Sequence, residues 1–506
     1  MTDPFTPDFV KFVNETLDEW KLAGMSIAVI DEDNVFSKGF GYATLPDTPA
    51  TPDTLWYTAS TTKAFTTATL AHLIESKKYT ALSRGWQTPI SSIIRDDFVT
   101  QDEWATANLT LEDAATHRTG LSSNDMTTIV EENGRPWTVR DIVRNLRNFP
   151  LREHPRTEFQ YNNEGYVVLS HVIETLTGKW LGDVIKETIW QPLGMNSTYF
   201  DLQQAKDGPE HLSRGYFWDK EKKSYEPIPF LATGVLSGAG AMISNVVDYA
   251  KWIKCLLKQE GPLSKEVHKE IRKPRFIDNP KPEGGMDVSL YGLSWWRTTI
   301  HGRVVYWHSG STTAHGALVY WFPDFDYGIV ILANYPNPAR QVIMRRLVED
   351  KLEIPLNRRY DIAKDFRDAQ HEAGKALENV DDILFPNRPK EPRPPSLDIS
   401  KLSGKYYAPG FETYHFVERA GDEASTDMLL IAERTDLMWK NQITLRHVSG
   451  DFWVAYITIL DGPRIPESFL AVEFRFGPDG KPSGLEMTFP DREKANGGKV
   501  FLKRLE

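Results

Sequence analysis

Residues 55–75 read LWYTASTTKAFTTATLAHLIE. Ala64, Phe65, Ala68, Leu70, Leu73 and Ile74 recur there at the spacing of a well-buried helix, with Ser60 at its amino-terminal end and Lys63 one turn further on. Side chains three residues apart on a helix stack on one face, about 5–6 Å between their Cβ atoms, so Lys63 can reach Ser60. A serine hydroxyl is a poor nucleophile until a neighbour takes its proton, and a desolvated lysine near a second acceptor can do so. The spacing alone is not specific: two fixed positions in four arise by chance on the order of once or twice in a chain this long.

Two further elements raise the specificity. In PRTEFQYNNEGYVVLSHVIETLTG, residues 155–178, Tyr161 and Asn163 lie on a polar turn ahead of an amphipathic helix expected to begin near Glu164. A phenolate held beside Lys63 would shuttle the proton. In His308-Ser309-Gly310-Ser311, at the end of the strand RVVYW (303–307), Gly310 lets a substrate backbone approach the strand edge. The backbone N–H groups of Ser60 and Ser311 can then form an oxyanion hole.

In this order, SxxK, YxN and a triplet ending in glycine, the chain resembles the penicillin-recognising serine hydrolases: class C β-lactamases, serine D-aminopeptidases and related esterases, over roughly residues 7–350. Phrases typical of that family accompany the motifs: LTLEDAATHRTGL (109–121), PLGMNSTYF (192–200), GAGAMISNVVDYAKW (238–252) and YGLSWW (291–296). The resemblance implies that Ser60 is acylated, that Lys63 and Tyr161 share general base and acid work, that Asn163 bonds substrate or Lys63, and that His308 lines the pocket opposite. The β-lactamases carry a lysine where His308 stands. A mostly neutral imidazole would hold a substrate carboxylate less well, so β-lactam hydrolysis is the weaker expectation. His315, just past the triplet, and Tyr57, just before the nucleophile, are further expected pocket residues, with Trp295 and Trp296 as an aromatic wall.

The surroundings fit an α+β architecture, an α/β sandwich with an all-helical region of the β-lactamase/transpeptidase kind. A helix over 8–22 and two strands, MSIAVID and VFSKGFGYA, open the chain. Helical pattern fills about 90–285, strands return over 288–334, and a helix follows at QVIMRRLVEDKL. Strands at both ends of a helical middle suggest one sheet closed by both ends. The proline-rich FPNRPKEPRPPSLD, 385–398, should be extended and poor in hydrogen bonds. Beyond it eight short aromatic and β-branched segments, from GKYYA to KVFLKRL, have the spacing of an antiparallel barrel, which resembles the lipocalin-like domains appended to D-aminopeptidases. The expected domains are 1–355, the hydrolase; 356–396, a helical and Pro-rich linker; and 397–506, the barrel.

Composition excludes other classes. The 506 residues are 40% hydrophobic, ample for a large core and a second domain, and the net charge of −11 argues against nucleic acid as a partner. No membrane span or signal peptide is evident, so cytoplasmic residence is expected. The single cysteine, Cys255, rules out an intrachain disulfide and a thiolate metal cluster, and His72, Glu75, His371 and Glu372 lack ligand spacing. No metal or cofactor is called for. The expected function is hydrolysis of an ester, an amide or a short peptide, as an esterase or a D-aminopeptidase-like amidase. An acyltransferase using the same acyl-enzyme, a β-lactamase, and a non-catalytic binding or scaffold protein are the alternatives, and homodimerisation stays open.

Overall fold

The computed structural model describes residues 3–121, 123, 127–421, 428–466, 468–488 and 498–505. The chain divides into two compact units, one of Met1–Asn124 with Pro136–Asp365, the other of Asp125–Arg135 with Phe366–Glu506.

The first unit is organised by β1 (Gly24–Asp31), all eight residues of which are buried. The opening helix α1 (Pro7–Glu19) begins where the Thr6 hydroxyl accepts from the Phe9 N–H and Pro7 presets the first turn. It buries Phe9, Val13 and Leu17. β1 pairs on one side with β2 (Asn34–Thr44), Met25 opposite Phe40, followed by β3 (Thr48–Pro49). On its other side the chain returns after some three hundred residues. The strands β4 (Phe276–Asn279), β5 (Ser289–Tyr291), β6 (Trp296–Ile300), β7 (Arg303–Ser311), β8 (Gly316–Phe322) and β9 (Tyr327–Ala333) make an antiparallel meander whose last member pairs with β1, Met25 opposite Ala333. The nine strands therefore lie in the order β4-β5-β6-β7-β8-β9-β1-β2-β3, the sheet closed by both chain ends that the sequence suggests.

Strand alternation sorts the two faces. Met25, Ile27 and Val29, with Ile329 and Ile331, pack against Phe9, Val13 and Leu17 and against Ile343 and Leu347 of the helix Ala339–Lys351. On the opposite face Gly328 lies under Ile253 and Leu257 of the helix Val246–Lys258. Cys255, on that helix, is buried and its thiol donates to the Glu260 carbonyl at 2.8 Å, so its place is core packing. The helical region between β3 and β4 contains α2 (Thr62–Glu75), in which every residue from Thr62 to Ala71 is buried, and α3 (Asn163–Thr177). The latter starts where Asn162 Oδ1 accepts from the Gly165 N–H and stops at Gly178, whose φ of 69° serves the left-handed turn that ends the helix. The region also carries a hairpin, Gly215–Asp219 with Ser224–Ile228.

The second unit is an eight-stranded antiparallel barrel in which every strand is hydrogen-bonded to its neighbours in sequence, and the first, Gly404–Ala408, pairs with the last, Lys499–Arg504. The eight strands coincide with the eight segments read from the sequence. One apolar cluster draws side chains from all eight, among them Tyr406, Phe416, Leu430, Leu445, Trp453, Phe474, Leu485 and Leu502, so the interior is a packed core. Val380 packs against Val448 and Val454. The proline-rich segment is tied down more firmly than its composition suggests: Arg393 exchanges bonds with Ser449 and Gly450, and Ser396 donates twice to Asp451. Prolines remove donors, but the remaining polar groups meet the turn between two barrel strands.

Among the described residues no helix is long and apolar enough to cross a membrane. Because Trp453 is fully buried at the barrel's centre, Trp453→Ala should cost about 3–5 kcal/mol, read from urea unfolding by near-ultraviolet circular dichroism. A loss below 1 kcal/mol would mean that the interior is loosely packed.

Candidate active site

Ser60 lies on a single 3₁₀ turn, Ala59–Thr61, that runs straight into α2. Ala59 adopts a φ of +48°, a left-handed conformation that costs a non-glycine residue energy and that surrounding packing must enforce. That packing comes from β7. A Cβ on Gly310 would sit 2.2 Å from the Thr58 carbonyl oxygen, so only glycine lets the strand lie this close to the nucleophile turn. β6 pairs with β7 only as far as Trp296 opposite Trp307, while β8 continues to Gly316 opposite Ser311. Ser309, Gly310 and Ser311 thus keep one strand edge unpaired by β6.

Lys63 is fully buried and its ammonium donates to three acceptors: Ser60 Oγ at 3.1 Å, Asn163 Oδ1 at 2.7 Å and the Ala239 carbonyl at 2.8 Å. Asn163 is placed by the start of α3. The Ala239 carbonyl is placed by a small-residue segment wedged between helices: a Cβ on Gly238 would meet Thr66 Oγ1 at 2.5 Å and Ser170 Oγ at 2.6 Å. Thr66 Oγ1 donates to the Gly238 carbonyl, and the Gly238 N–H to Ser170 Oγ. The Tyr161 ring covers this group, with Lys63 Nζ 5.0 Å from its centroid, and is itself stacked on Trp296 with centroids 5.9 Å apart. Ser60, Tyr161 and Asn163 are half-buried, whereas Lys63 is fully enclosed.

The imidazoles around the cation are neutral. His308 Nδ1 faces the Ser309 carbonyl, an acceptor only, so it carries the proton and leaves Nε2 to accept from the Tyr291 hydroxyl at 3.3 Å. Burial, then the nearby Lys63 charge, lowers its pKa to about 3. His117 Nδ1 accepts the Asn162 N–H, and burial with the same charge holds it well below the usual histidine range. Its ring lies 4.3 Å from that of Tyr161.

Six expected residues therefore converge: Ser60, Lys63, Tyr161, Asn163, His308 and Gly310, with Ser311 next on the same strand. Tyr57 and His315 are packed away. Both are buried, their rings 4.9 Å apart; Tyr57 Oη donates to the Leu231 carbonyl and His315 Nε2 pairs with Ser213 Oγ. Burial lowers the His315 pKa to about 3. Of the two tryptophans, Trp296 stands among the site aromatics while Trp295 lies in the core against Trp321. His117 and the Ala239 carbonyl escaped the sequence reading. The first sits in the HRTGL turn, where its φ of +55° gives a reason for the turn chemistry, and the second is a backbone atom with no side-chain signal. A cavity of about 470 Å³ lined by Arg140, His171, Glu174 and Trp180 includes none of these residues.

Residues 9–353 match the Beta-lactamase family. The chain belongs to the β-lactamase family. An unguisins hydrolase, ungD′, of Aspergillus campestris (strain IBT 28561) is 38% identical over 95% of this chain and 89% of its own length. The octameric penicillin-binding protein homologue from Pyrococcus abyssi superposes with a TM-score of 0.62 at 21% identity, covering 98% of this chain and 99% of that one. The D-amino acid amidase from Ochrobactrum anthropi SV3, complexed with L-phenylalanine, superposes with 0.58 at 19% identity over 69% and 99%. Family membership and the hydrolase relative make the chain a serine hydrolase.

Four buried histidines held neutral set a sign for acid stability. His117, His268, His308 and His315 all have folded pKa values below that of the unfolded chain. The unfolded state therefore binds more protons, and stability falls as pH drops from about 6.5 toward 3, by up to ~1.4 kcal/mol per pH unit for each group. Urea midpoints measured at pH 7, 6, 5 and 4 should decline in that order, and His315→Asn should flatten the decline. A flat profile in the wild type would mean that these imidazoles are charged in the fold.

Proposed function

We propose that the chain hydrolyses a small amide or short peptide by acylating Ser60, with esters as faster surrogate substrates. The observation that carries the proposal is the bond between Lys63 Nζ and Ser60 Oγ, completed by Asn163 and Ala239, which aims one lysine position at the serine. In the acylation step the Ser60 proton passes to the Lys63–Tyr161 pair as Oγ bonds the substrate carbonyl carbon. The carbonyl oxygen takes negative charge toward the N–H groups of Ser60 and Ser311, the C–N or C–O bond breaks, and the same pair returns the proton to the leaving amine or alcohol. Water repeats the sequence on the acyl-enzyme. Lys63 and Tyr161 share the proton work as a pair, the two roles not being divided between them. The amino-terminal end of α2 points at the same place, and its dipole favours the negative charge that develops there.

The substrate class rests on the third motif. A neutral His308 supplies no fixed cation for a carboxylate, which favours substrates without a free acid at that end over penicillins. The unguisins hydrolase relative and the D-amino acid amidase fold support the same choice.

The test is hydrolysis of p-nitrophenyl butyrate by the wild type and by Ser60→Ala, prepared side by side. Turnover should fall at least about 10³-fold in the variant, and the intact mass of the wild type mixed with substrate should gain one butyryl group on Ser60. Equal rates in both proteins would remove Ser60 from the reaction. Lys63→Met should lower kcat by a similar factor, and the pH profile of kcat should lack an inflection near pH 6.5, because His308 stays neutral through that range.

A further inference from the structure

Arg340, the second residue of the helix Ala339–Lys351, is 3% exposed, and no carboxylate among the described residues lies within ion-pair distance of it. Its guanidinium lies flat on Gly316, where a Cβ would come within 2.5 Å of Cζ. Its hydrogen bonds go to main-chain carbonyls: Nη1 donates to Gly310 at 3.1 Å and to Ala317 at 2.8 Å, and Nε donates to Asn337 at 3.2 Å. Burial lowers its pKa to about 10, which still leaves it charged at neutral pH. An uncompensated buried cation is an expensive feature, so its bond partners matter.

The Gly310 carbonyl and the Ser311 N–H belong to one planar trans peptide, and the two groups point in opposite directions across it. With the oxygen turned toward β8 and Arg340, the N–H points to the edge that β6 leaves unpaired, on the strand whose Gly310 lies against the nucleophile turn at Thr58 and Ala59. A cation bonded to the oxygen of a peptide draws electron density toward it and makes the N–H a stronger donor, as in any polarised hydrogen-bond chain. We propose that Arg340 is a positioning residue of the oxyanion hole, acting through the Gly310–Ser311 peptide to fix the direction and raise the donor strength of the Ser311 N–H. The inference rests on the Ser60 acyl-enzyme reading. It also gives Gly316 a purpose, since any side chain there would displace the guanidinium.

The experiment uses p-nitrophenyl butyrate labelled with ¹³C at the carbonyl and reads the C=O stretch of the Ser60 acyl-enzyme by rapid-mixing infrared difference spectroscopy, beside kcat and KM. Stronger oxyanion donors lower that frequency. Arg340→Gln, which keeps a donor and removes the charge, should raise the frequency and slow acylation on the order of tenfold, less than deleting an oxyanion donor outright does, with KM little changed. Arg340→Lys should fall between it and the wild type. Should Arg340→Gln not fold, Gly316→Ala carries the same readout, because it moves the guanidinium and leaves the charge in the chain. A folded variant whose frequency is unmoved and whose acylation rate stays within twofold of the wild type overturns the inference, and a lowered melting temperature with an unmoved frequency assigns Arg340 to stability only. Absence of any butyryl mass on wild-type Ser60 is a different failure: it overturns the acyl-enzyme reading and this inference with it.

Discussion

Burying the Lys63 ammonium is the constraint around which the first unit is arranged. A cation removed from water loses several kcal/mol of solvation unless its protons find acceptors. Its acceptors include one near and two distant parts of the chain: Ser60 one turn away, Asn163 a hundred residues on, and the Ala239 carbonyl a further seventy-six. To bring them together α2 must be buried along almost its whole length, α3 must begin precisely oriented at Asn163, and the 237–240 segment must be narrow enough to pass between the helices. The small residues there and the threonines on α2 are the same requirement seen from its two sides.

The cation also writes the electrostatics of its neighbourhood. His117 and His308 are pressed neutral by burial and by this charge together, so the aromatic wall formed with Tyr161, Tyr291 and Trp296 presents polar but uncharged edges. Recognition in such a pocket comes from shape and stacking more than from ion pairing. The same separation holds at the sheet, where Arg340 is bonded to carbonyl oxygens and not to a carboxylate, leaving its field directed along the backbone.

Much of this was legible in the residues because it is periodic or local. The eight barrel segments show themselves by short aromatic and β-branched runs between turn residues, and Ser60–Lys63 by a helical spacing. Asn163 and Gly310 follow from motif order. What was not legible shares one property: it depends on backbone atoms or on long-range packing. The Ala239 carbonyl has no side chain to mark it, His117 reads as turn chemistry until its ring is seen against Tyr161, and Arg340 lies thirty residues beyond the peptide it contacts. His315 illustrates the converse, for proximity in sequence to Gly310 placed it in the pocket, whereas its bond to Ser213 and its packing on Tyr57 turn it inward.

The position of β1 has a consequence for how the chain is made. Its eight buried residues lie between β2, which follows at once, and β9, which begins at Tyr327. Closing a loop of that length costs roughly 5 kcal/mol of chain entropy, and at about 5–20 residues per second a ribosome needs on the order of 15–60 s to supply the missing partner. Through that interval the β1–β2 hairpin is born with an apolar edge exposed and nothing native to cover it. The nascent chain therefore spends most of its synthesis in need of a chaperone or of transient shelter by its own helices, and the last strand of the sheet to be translated is the one that ends the exposure.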